Sequence, residues 1–331
     1  MSDASQDQLT TRVPASAAGQ PLLAWLAERF RYFDIAGWQQ QIAAGRIRHN
    51  DAPADATARL VAGDRIAFAV AAPDGPCDLP TIVHEDADLV VVDKPPLYVV
   101  QRVGAFGYTF VAALEARCGA RLEAVHRLDR ETSGLLVLAK TRPAFTALQA
   151  QWQTRSVAKT YLALVHGHLA SERLTVDAPI GPVPGGRIGP RRTVLAATAP
   201  QARAAITHFT VQRRLARGTL VHAVPETGRT HQIRVHLEHL GHPLVGDKLY
   251  GRSDDEYLAW VAHVKSGGTA TDGLAGPAGR HLLHAASLAF DQPRTGARIA
   301  VTAPLPADFA RALAVAAVSA ATPAAGSDAD P

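Results

Sequence analysis

His126-Arg127-Leu128-Asp129-Arg130-Glu131-Thr132-Ser133-Gly134 runs without a break into Leu135-Leu136-Val137-Leu138-Ala139. Five apolar residues in succession after a glycine read as a strand buried on both faces. Charges crowded at the mouth of a core strand are held in a defined place. Asp129 has Arg127 and Arg130 beside it in sequence, and neighbouring cations favour the ionised carboxylate. That suits an acceptor or a nucleophile rather than a general acid. It equally suits a plain ion pair in a surface loop.

Outward from this strand, similar runs recur over 82–95, 161–165, 204–211 and 220–224, and helical spacing appears over 109–118, 143–153 and 230–240. The strands interleave too irregularly for a βαβ repeat, so the predicted class is α+β, with a mixed, mainly antiparallel sheet and flanking helices. Residues 182–192, with three glycines, read as a flexible loop, and 252–280 as a polar insertion. Upstream, Leu22, Leu23, Leu26 and Phe30 predict one short helix and residues 38–44 a second. Two short strands, at 45–50 and 60–68, should follow around turns. The predicted domains are a flexible N-terminus (1–19), a small module (20–76), a main domain (77–310) and a disordered Ala-rich tail (311–331).

The chain has 331 residues, above the size at which single cores stop growing, which fits two units. With 47% hydrophobic and 19% charged residues, wholesale disorder is excluded. No apolar stretch approaches the roughly 20 residues that cross a bilayer, and the polar start lacks the features of a secretory signal. A cytoplasmic location is expected. Cys77 and Cys118 have no CxxC partner, so neither a disulfide framework nor a zinc knuckle is predicted. The net charge of +4 is uneven: −1 over residues 1–76, +7 over 77–300 and −2 over 301–331. A basic middle suits RNA or phosphate, as it would any arginine-rich solvated surface.

Two further stretches carry candidate chemistry. Glu226-Thr227-Gly228-Arg229-Thr230-His231-Gln232-Ile233-Arg234-Val235-His236-Leu237 predicts a helix with Thr230 as its N-cap, leaving Arg229 to face an anion. His231, His236 and His239 do not have the spacing of a metal motif, and no metal is expected. In Arg155-Ser156-Val157-Ala158-Lys159-Thr160-Tyr161, strand alternation would put Arg155, Val157, Lys159 and Tyr161 on one face. A ring beside two cations can stack on a base while the cations meet phosphates, and a tyrosine at a sheet margin would look the same.

Taken together, these segments resemble the RluA-type pseudouridine synthase family. His126-Arg127-Leu128-Asp129 with Thr132-Ser133-Gly134 is similar to the signature around that family's catalytic aspartate. Arg155-x-Val157-x-Lys159-x-Tyr161 is similar to the segment bearing its active-site tyrosine. Residues 228–236, Gly241-His242-Pro243 and 246–251 resemble its second signature, and Leu283-His284-Ala285 through Phe290 its last core strand. The module over 20–76 resembles a small RNA-binding domain shared with a ribosomal small-subunit protein, with Asp51 where that domain usually has glycine.

The resemblance implies a pseudouridine synthase fold and isomerisation of uridine in structured RNA, ribosomal or transfer, by base flipping. It implies no cofactor, no membrane and a monomer. It gives Asp129 as the catalytic group, Arg229 as the partner keeping it charged and placed, Tyr161 as the ring against the uracil and Ile233 as an apolar wall. Arg127 would enter the gap left by the base or hold phosphate, with Lys159 and Arg155 as RNA contacts. Attack at C1′, attack at C6 and proton removal from C2′ all stay open. The family's Lys-Pro-x-Gly-Leu is here Lys94-Pro95-Pro96-Leu97-Tyr98, with Gln101-Arg102 after it, so target choice is where this chain should differ. A non-catalytic RNA-binding or ribosome-assembly factor retaining the fold is the rival reading, and a nucleoside hydrolase a third.

Overall fold

The computed structural model describes residues 8–29, 35–69, 80–98, 100, 110–265 and 279–318. Two compact units emerge, residues 1–80 with 98–122, and residues 81–97 with 123–331.

The smaller unit holds β1 (Gln8–Arg12), α1 (Leu22–Arg29), α2 (Ile35–Ala43), β2 (Ile47–His49), β3 (Ala52–Pro53), β4 (Arg65–Ala69) and α3 (Phe110–Cys118), with sheet order β1-β4-β2-β3. Leu22, Trp25 and Leu26 share one helix face and bury against Trp38, Ile47, Ile66 and Phe68. The module starts earlier than predicted. Gln8–Arg12 pairs along the whole of β4, so part of the expected flexible terminus is sheet. The strand expected over 60–68 begins only at Arg65. Before it, the chain turns at Gly63 (φ 90°), and Asp64 accepts hydrogen bonds from the Val61 amide and the Asn50 side chain, both at 2.7 Å. Those bonds bring the Asp64 carboxyl down to about 2. Asn50 and Asp51 (φ 48° and 68°) make the two-residue left-handed turn between β2 and β3, which Asn and Asp tolerate where glycine is usual.

The larger unit is built on one ten-stranded sheet. Its elements are β5 (Thr81–Glu85), β6 (Leu89–Lys94), β7 (Glu123–Ala124), β8 (Ser133–Ala139), α4 (Arg142–Gln153), β9 (Ala158–Val165), β10 (Arg173–Asp177), β11 (Ile180–Pro182), β12 (Arg192–Val194), β13 (Ile206–Leu215), β14 (Gly218–Pro225), α5 (Gln232–His239), α6 (Asp254–Lys265), β15 (Leu283–Asp291), β16 (Arg298–Thr302) and α7 (Ala307–Ala317). The sheet order is β10-β13-β14-β9-β15-β8-β6-β5, with β16 on β15 and β7 on β8. Among the described residues only β15–β8 is parallel, so the sheet is mixed and mainly antiparallel, as the strand spacing implied.

Two packing details place the site. All seven residues of β8 are buried, which explains its unbroken apolar run. At its mouth Gly134 has φ 107°, and a Cβ there would meet the Ala285 carbonyl oxygen at 2.3 Å. Only glycine lets β8 lie this close to β15, and the Asp129 loop is anchored at that contact. Helix α4 is started by Thr141, whose hydroxyl accepts from the Ala144 amide, with proline in its first turn.

Two expectations are corrected here, and a third gains its place in the fold. The glycine-bearing segment 182–192 is the connection of a β11–β12 hairpin, with Pro182 opposite Arg192. The supposed polar insertion contains α6. The supposed disordered tail begins inside α7, where Phe309, Ala312, Leu313 and Ala316 are buried at helical spacing. Its alanines had hidden an amphipathic face, because a small side chain packs closely without a strong hydrophobic signal. No described helix is long and apolar enough to cross a membrane.

Candidate active site

Asp129 lies in the loop between β7 and β8, where the Thr132 amide donates to the Asp129 carbonyl at 3.1 Å and closes a turn. A hollow of about 370 Å³ opens beside it, lined among others by Arg127, Asp129, Lys159, Tyr161, Arg229 and Ile233. Six of the seven residues singled out in the sequence therefore meet in one place.

The exception is Arg155. It sits at φ 60° before β9 begins, so the alternation predicted to carry it onto the face of Tyr161 starts too late. Its guanidinium pairs instead with Glu226 at 3.3 Å. Lys159 does share the face with Tyr161, and its Nζ lies 3.5 Å from the Thr227 carbonyl.

The ion pair on Asp129 is also not the expected one. Arg234, from α5, donates from Nη1 to Asp129 Oδ2 at 2.9 Å. Arg229, at the rim, donates from Nε to the Ala204 carbonyl at 3.0 Å. The reason is local. Thr230 does not cap α5: His231 occupies the cap position in a left-handed conformation, with no side-chain cap. The buried Gln232 accepts from Thr227 Oγ1 (2.6 Å) and the Arg229 amide (3.0 Å) and donates to the Ile206 carbonyl (2.9 Å). That turn points Arg229 outward and Arg234 inward.

Arg234 is 7% exposed, and a buried guanidinium requires compensation. Asp247 supplies it with two bonds, to Nε (2.7 Å) and Nη2 (2.9 Å). Asp247 in turn accepts the Leu249 and Tyr250 amides at 2.9 and 3.0 Å. The Tyr250 ring lies under the guanidinium at 4.8 Å. Arg234 is thus fixed by Asp247 and presents its remaining arm to Asp129. Burial pushes the Asp129 carboxyl up, but the charge and hydrogen bond of Arg234, with the imidazoles of His231 and His281, together outweigh it and hold the group below the ordinary carboxylate value. Asp247 too is held below its ordinary value, by the charge and hydrogen bonds of Arg234 and by the backbone amide it accepts.

Around this pair the titratable groups are neutral or fixed. Burial raises the Tyr161 hydroxyl, and the Asp129 charge raises it further, so it stays protonated. His231 is pushed down to about 4 by burial and by Arg234. Its Nδ1 lies 2.9 Å from Tyr250 Oη, which already accepts the Arg192 amide at 3.0 Å. The hydroxyl can therefore donate to Nδ1, leaving Nε2–H to face Asp129 at 3.9 Å. His126 accepts the Val137 amide at 3.1 Å, stacks on Trp152 and is lowered to about 3 by burial.

The Asp129 loop is also held from behind. Arg280, 1% exposed, donates to the Glu131 carbonyl (3.0 Å) and to Ser133 Oγ (3.3 Å) and is paired with Asp308 of α7 at 2.6 Å. Glu131 pairs with Lys248 at 2.6 Å and accepts the His281 amide at 2.9 Å. The buried Lys94 donates to the Arg130 carbonyl at 3.2 Å, and burial brings it down to about 7. Arg130 donates to the carbonyl of Leu97, which adopts φ 73° where the family pattern has glycine.

The described residues contain no group of three His, Cys, Asp or Glu side chains able to hold a metal ion. His236 bonds Thr207 Oγ1 (2.8 Å) and the Ala178 carbonyl (3.0 Å), a structural role. Cys118 ends α3, and Cys77 lies outside the described residues.

Residues 88–239 match the model of the RNA pseudouridylate synthase family. An uncharacterized RNA pseudouridine synthase, YlyB of Bacillus subtilis, is 36% identical over 287 residues, covering 82% of this chain and 86% of that protein. Ribosomal large subunit pseudouridine synthase D of Xanthomonas campestris is 36% identical over 330 residues, with 94% and 95% covered. This chain belongs to the RNA pseudouridine synthase family. Among solved structures, human RNA pseudouridylate synthase domain containing 1 superposes with a TM-score of 0.53 at 28% identity, over 70% of this chain and 86% of that one. The protein is therefore an isomerase converting uridine in RNA to pseudouridine, a catalytic role favoured over the reading as a non-catalytic factor.

Sequence reasoning missed Arg234, Asp247, Tyr250 and the Arg280–Asp308 pair. Arg234 did leave a trace. It stands among Ile233, Val235 and Leu237 in a helix buried over residues 232–237, and a charge buried there needs a partner.

Proposed function

We propose that this pseudouridine synthase modifies uridines of large-subunit ribosomal RNA, with Asp129 as the catalytic group acting on an extruded nucleotide. The observation that carries the reading is the Asp129–Arg234–Asp247 chain at the floor of an open hollow. The ribosomal target follows the names of the relatives that span almost the whole chain.

The reaction breaks the N1–C1′ bond, turns the uracil and joins C5 to the same C1′. The C5 proton leaves and N1 gains one, so the product is an isomer. An unprotonated carboxylate at the sugar and base serves attack at C1′, attack at C6 and proton removal from C2′ alike. All three need Asp129 ionised and placed, which is the work of Arg234. The reacting bond lies inside folded RNA, so for Asp129 to reach it the uridine leaves its stack, at a cost of a few kcal/mol, and enters the hollow. Tyr161 offers its ring to the uracil and a protonated hydroxyl as donor, and Ile233 closes the apolar side. Arg127 is exposed at the rim, placed to fill the vacated stack or hold a phosphate. The setting is cytoplasmic, where ribosomal RNA is made.

The test is to map pseudouridines by carbodiimide treatment and primer extension in ribosomal RNA from cells with and without this gene. Loss of defined large-subunit stops in the deletion, restored by wild-type protein and not by Asp129→Ala, is the expected result. An unchanged ribosomal map with lost transfer-RNA stops would overturn the target. Release of free uracil would indicate hydrolysis instead.

A further inference from the structure

A second hollow, of about 390 Å³, adjoins the first. It is lined by Ile180, Gly181, Pro182, Arg192, Pro200, Gln201, Arg203, Arg229 and Thr230, and Arg229 and Thr230 line both. Three arginines thus line one groove that shares two of its residues with the hollow over Asp129. None of the three forms an ion pair with a carboxylate among the described residues. The Arg192 guanidinium donates only to the carbonyls of Gly189 and Arg191, at 2.8 and 2.9 Å, and the Arg229 guanidinium only to that of Ala204. Among the described residues no side-chain bond engages Arg203, which is exposed.

The contrast with their neighbours is informative. On the same hairpin, Arg187 pairs with Asp255 at 2.6 Å, and Arg191 with Glu238 (3.1 Å) and Asp254 (2.8 Å). Carboxylates are therefore at hand, and they neutralise the arginines beside the groove but not those lining it. Three like charges kept together repel one another unless an anion enters between them. Guanidinium forks match the oxygens of a phosphate in geometry as well as in charge.

We propose that this groove is a phosphate subsite for the substrate RNA, in which Arg192, Arg203 and Arg229 grip the backbone next to the nucleotide held over Asp129. The inference rests on the RNA substrate of the reaction. Because Arg229 and Thr230 are common to both hollows, the gripped phosphate is adjacent to the reacting nucleotide rather than remote from it. A grip on the strand at that point holds the flipped nucleotide's backbone while its base lies in the hollow. It recognises no base, so it serves affinity and placement rather than sequence choice.

The experiment compares wild type, Arg192→Gln/Arg203→Gln, Arg203→Gln alone, Arg203→Lys, and Arg187→Gln as a control that removes an already paired charge. The probe is an unmodified transcript of large-subunit ribosomal RNA. Filter binding is measured across salt concentrations, and turnover at one salt. Each lost phosphate contact should lower the slope of log affinity against log salt by about 1. The double variant should raise KM about tenfold or more, with kcat within about twofold of wild type. Arg203→Lys should keep the wild-type slope, and Arg187→Gln should do the same. The single Arg203→Gln change touches no internal contact, so it reads the groove even if the double variant folds poorly. A slope for Arg203→Gln equal to that of Arg187→Gln, or a loss confined to kcat, overturns the proposal. If wild type binds the transcript without modifying it, the ribosomal target fails and the slopes alone decide the groove.

Discussion

Two hollows of similar size, about 370 and 390 Å³, share Arg229 and Thr230 and handle charge in opposite ways. On the floor of the first, Arg234 is buried and bonded to two carboxylates. Along the second, Arg192, Arg203 and Arg229 reach carbonyls or no side chain among the described residues. A buried cation without a partner costs several kcal/mol, so the guanidinium that places the Asp129 carboxylate must itself be placed. A cation at the surface costs little to leave unpaired and is worth most to a ligand in that state. Placement calls for pairing, and capture calls for its absence.

This comparison can be broken first at Arg234. Arg234→Gln removes the main influence that lowers Asp129, so the Asp129 carboxyl rises. The acid limb of a kcat profile should move to higher pH, because the ionised form is lost earlier as pH falls. At neutral pH kcat should drop by about 10²–10³-fold, while the salt slope of RNA binding stays that of wild type. An unshifted acid limb would mean that Arg234 does not control the carboxylate.

A smaller effect is expected behind the loop. Asp308→Asn strips the buried Arg280 of its charged partner and should cost about 2 kcal/mol, less than the ~3–5 of a fully buried pair because Asp308 is partly exposed. Asp308 is held below its ordinary value, since the Arg280 bonds outweigh burial. The pair's contribution is therefore present above the ordinary carboxylate value and is lost as pH falls through the lowered one. Denaturant titration at pH 7 and at pH 3 checks this: the wild-type advantage over Asp308→Asn should shrink at the lower pH. Equal advantages would refute the linkage.

The smallest effect concerns Leu97. A glycine there relieves ~1–2 kcal/mol of left-handed strain and adds ~0.5–1 kcal/mol of chain entropy. Thermal unfolding should shift upward by about 2 °C. A downward shift would show that the Leu97 side chain contributes packing that outweighs its backbone.

What the sequence disclosed follows the range of its signals. The apolar run 135–139 announced a buried strand because burial on both faces leaves no polar alternation. Asp129, Tyr161, Arg127, Lys159 and Ile233 were legible as a site, and the structure gathers them around one hollow. The ion-pair partner was not legible. Arg229 and Arg234 lie in one motif, and the choice between them is made by Gln232 and the left-handed His231, whose turn no periodicity reports. Arg155 failed for a related reason, since the left-handed residue ending the α4 turn delays the strand. Helix α7 was hidden by alanine, and with it the Arg280–Asp308 pair, whose members stand 28 positions apart.

The central measurement is tritium release from RNA labelled at uridine C5, because that hydrogen leaves only when C5 bonds to C1′. With Asp129→Asn, RNA should bind within a few-fold of wild type while tritium release falls at least about 10³-fold. Release by Asp129→Asn at a rate near wild type would contradict the assignment of the carboxylate.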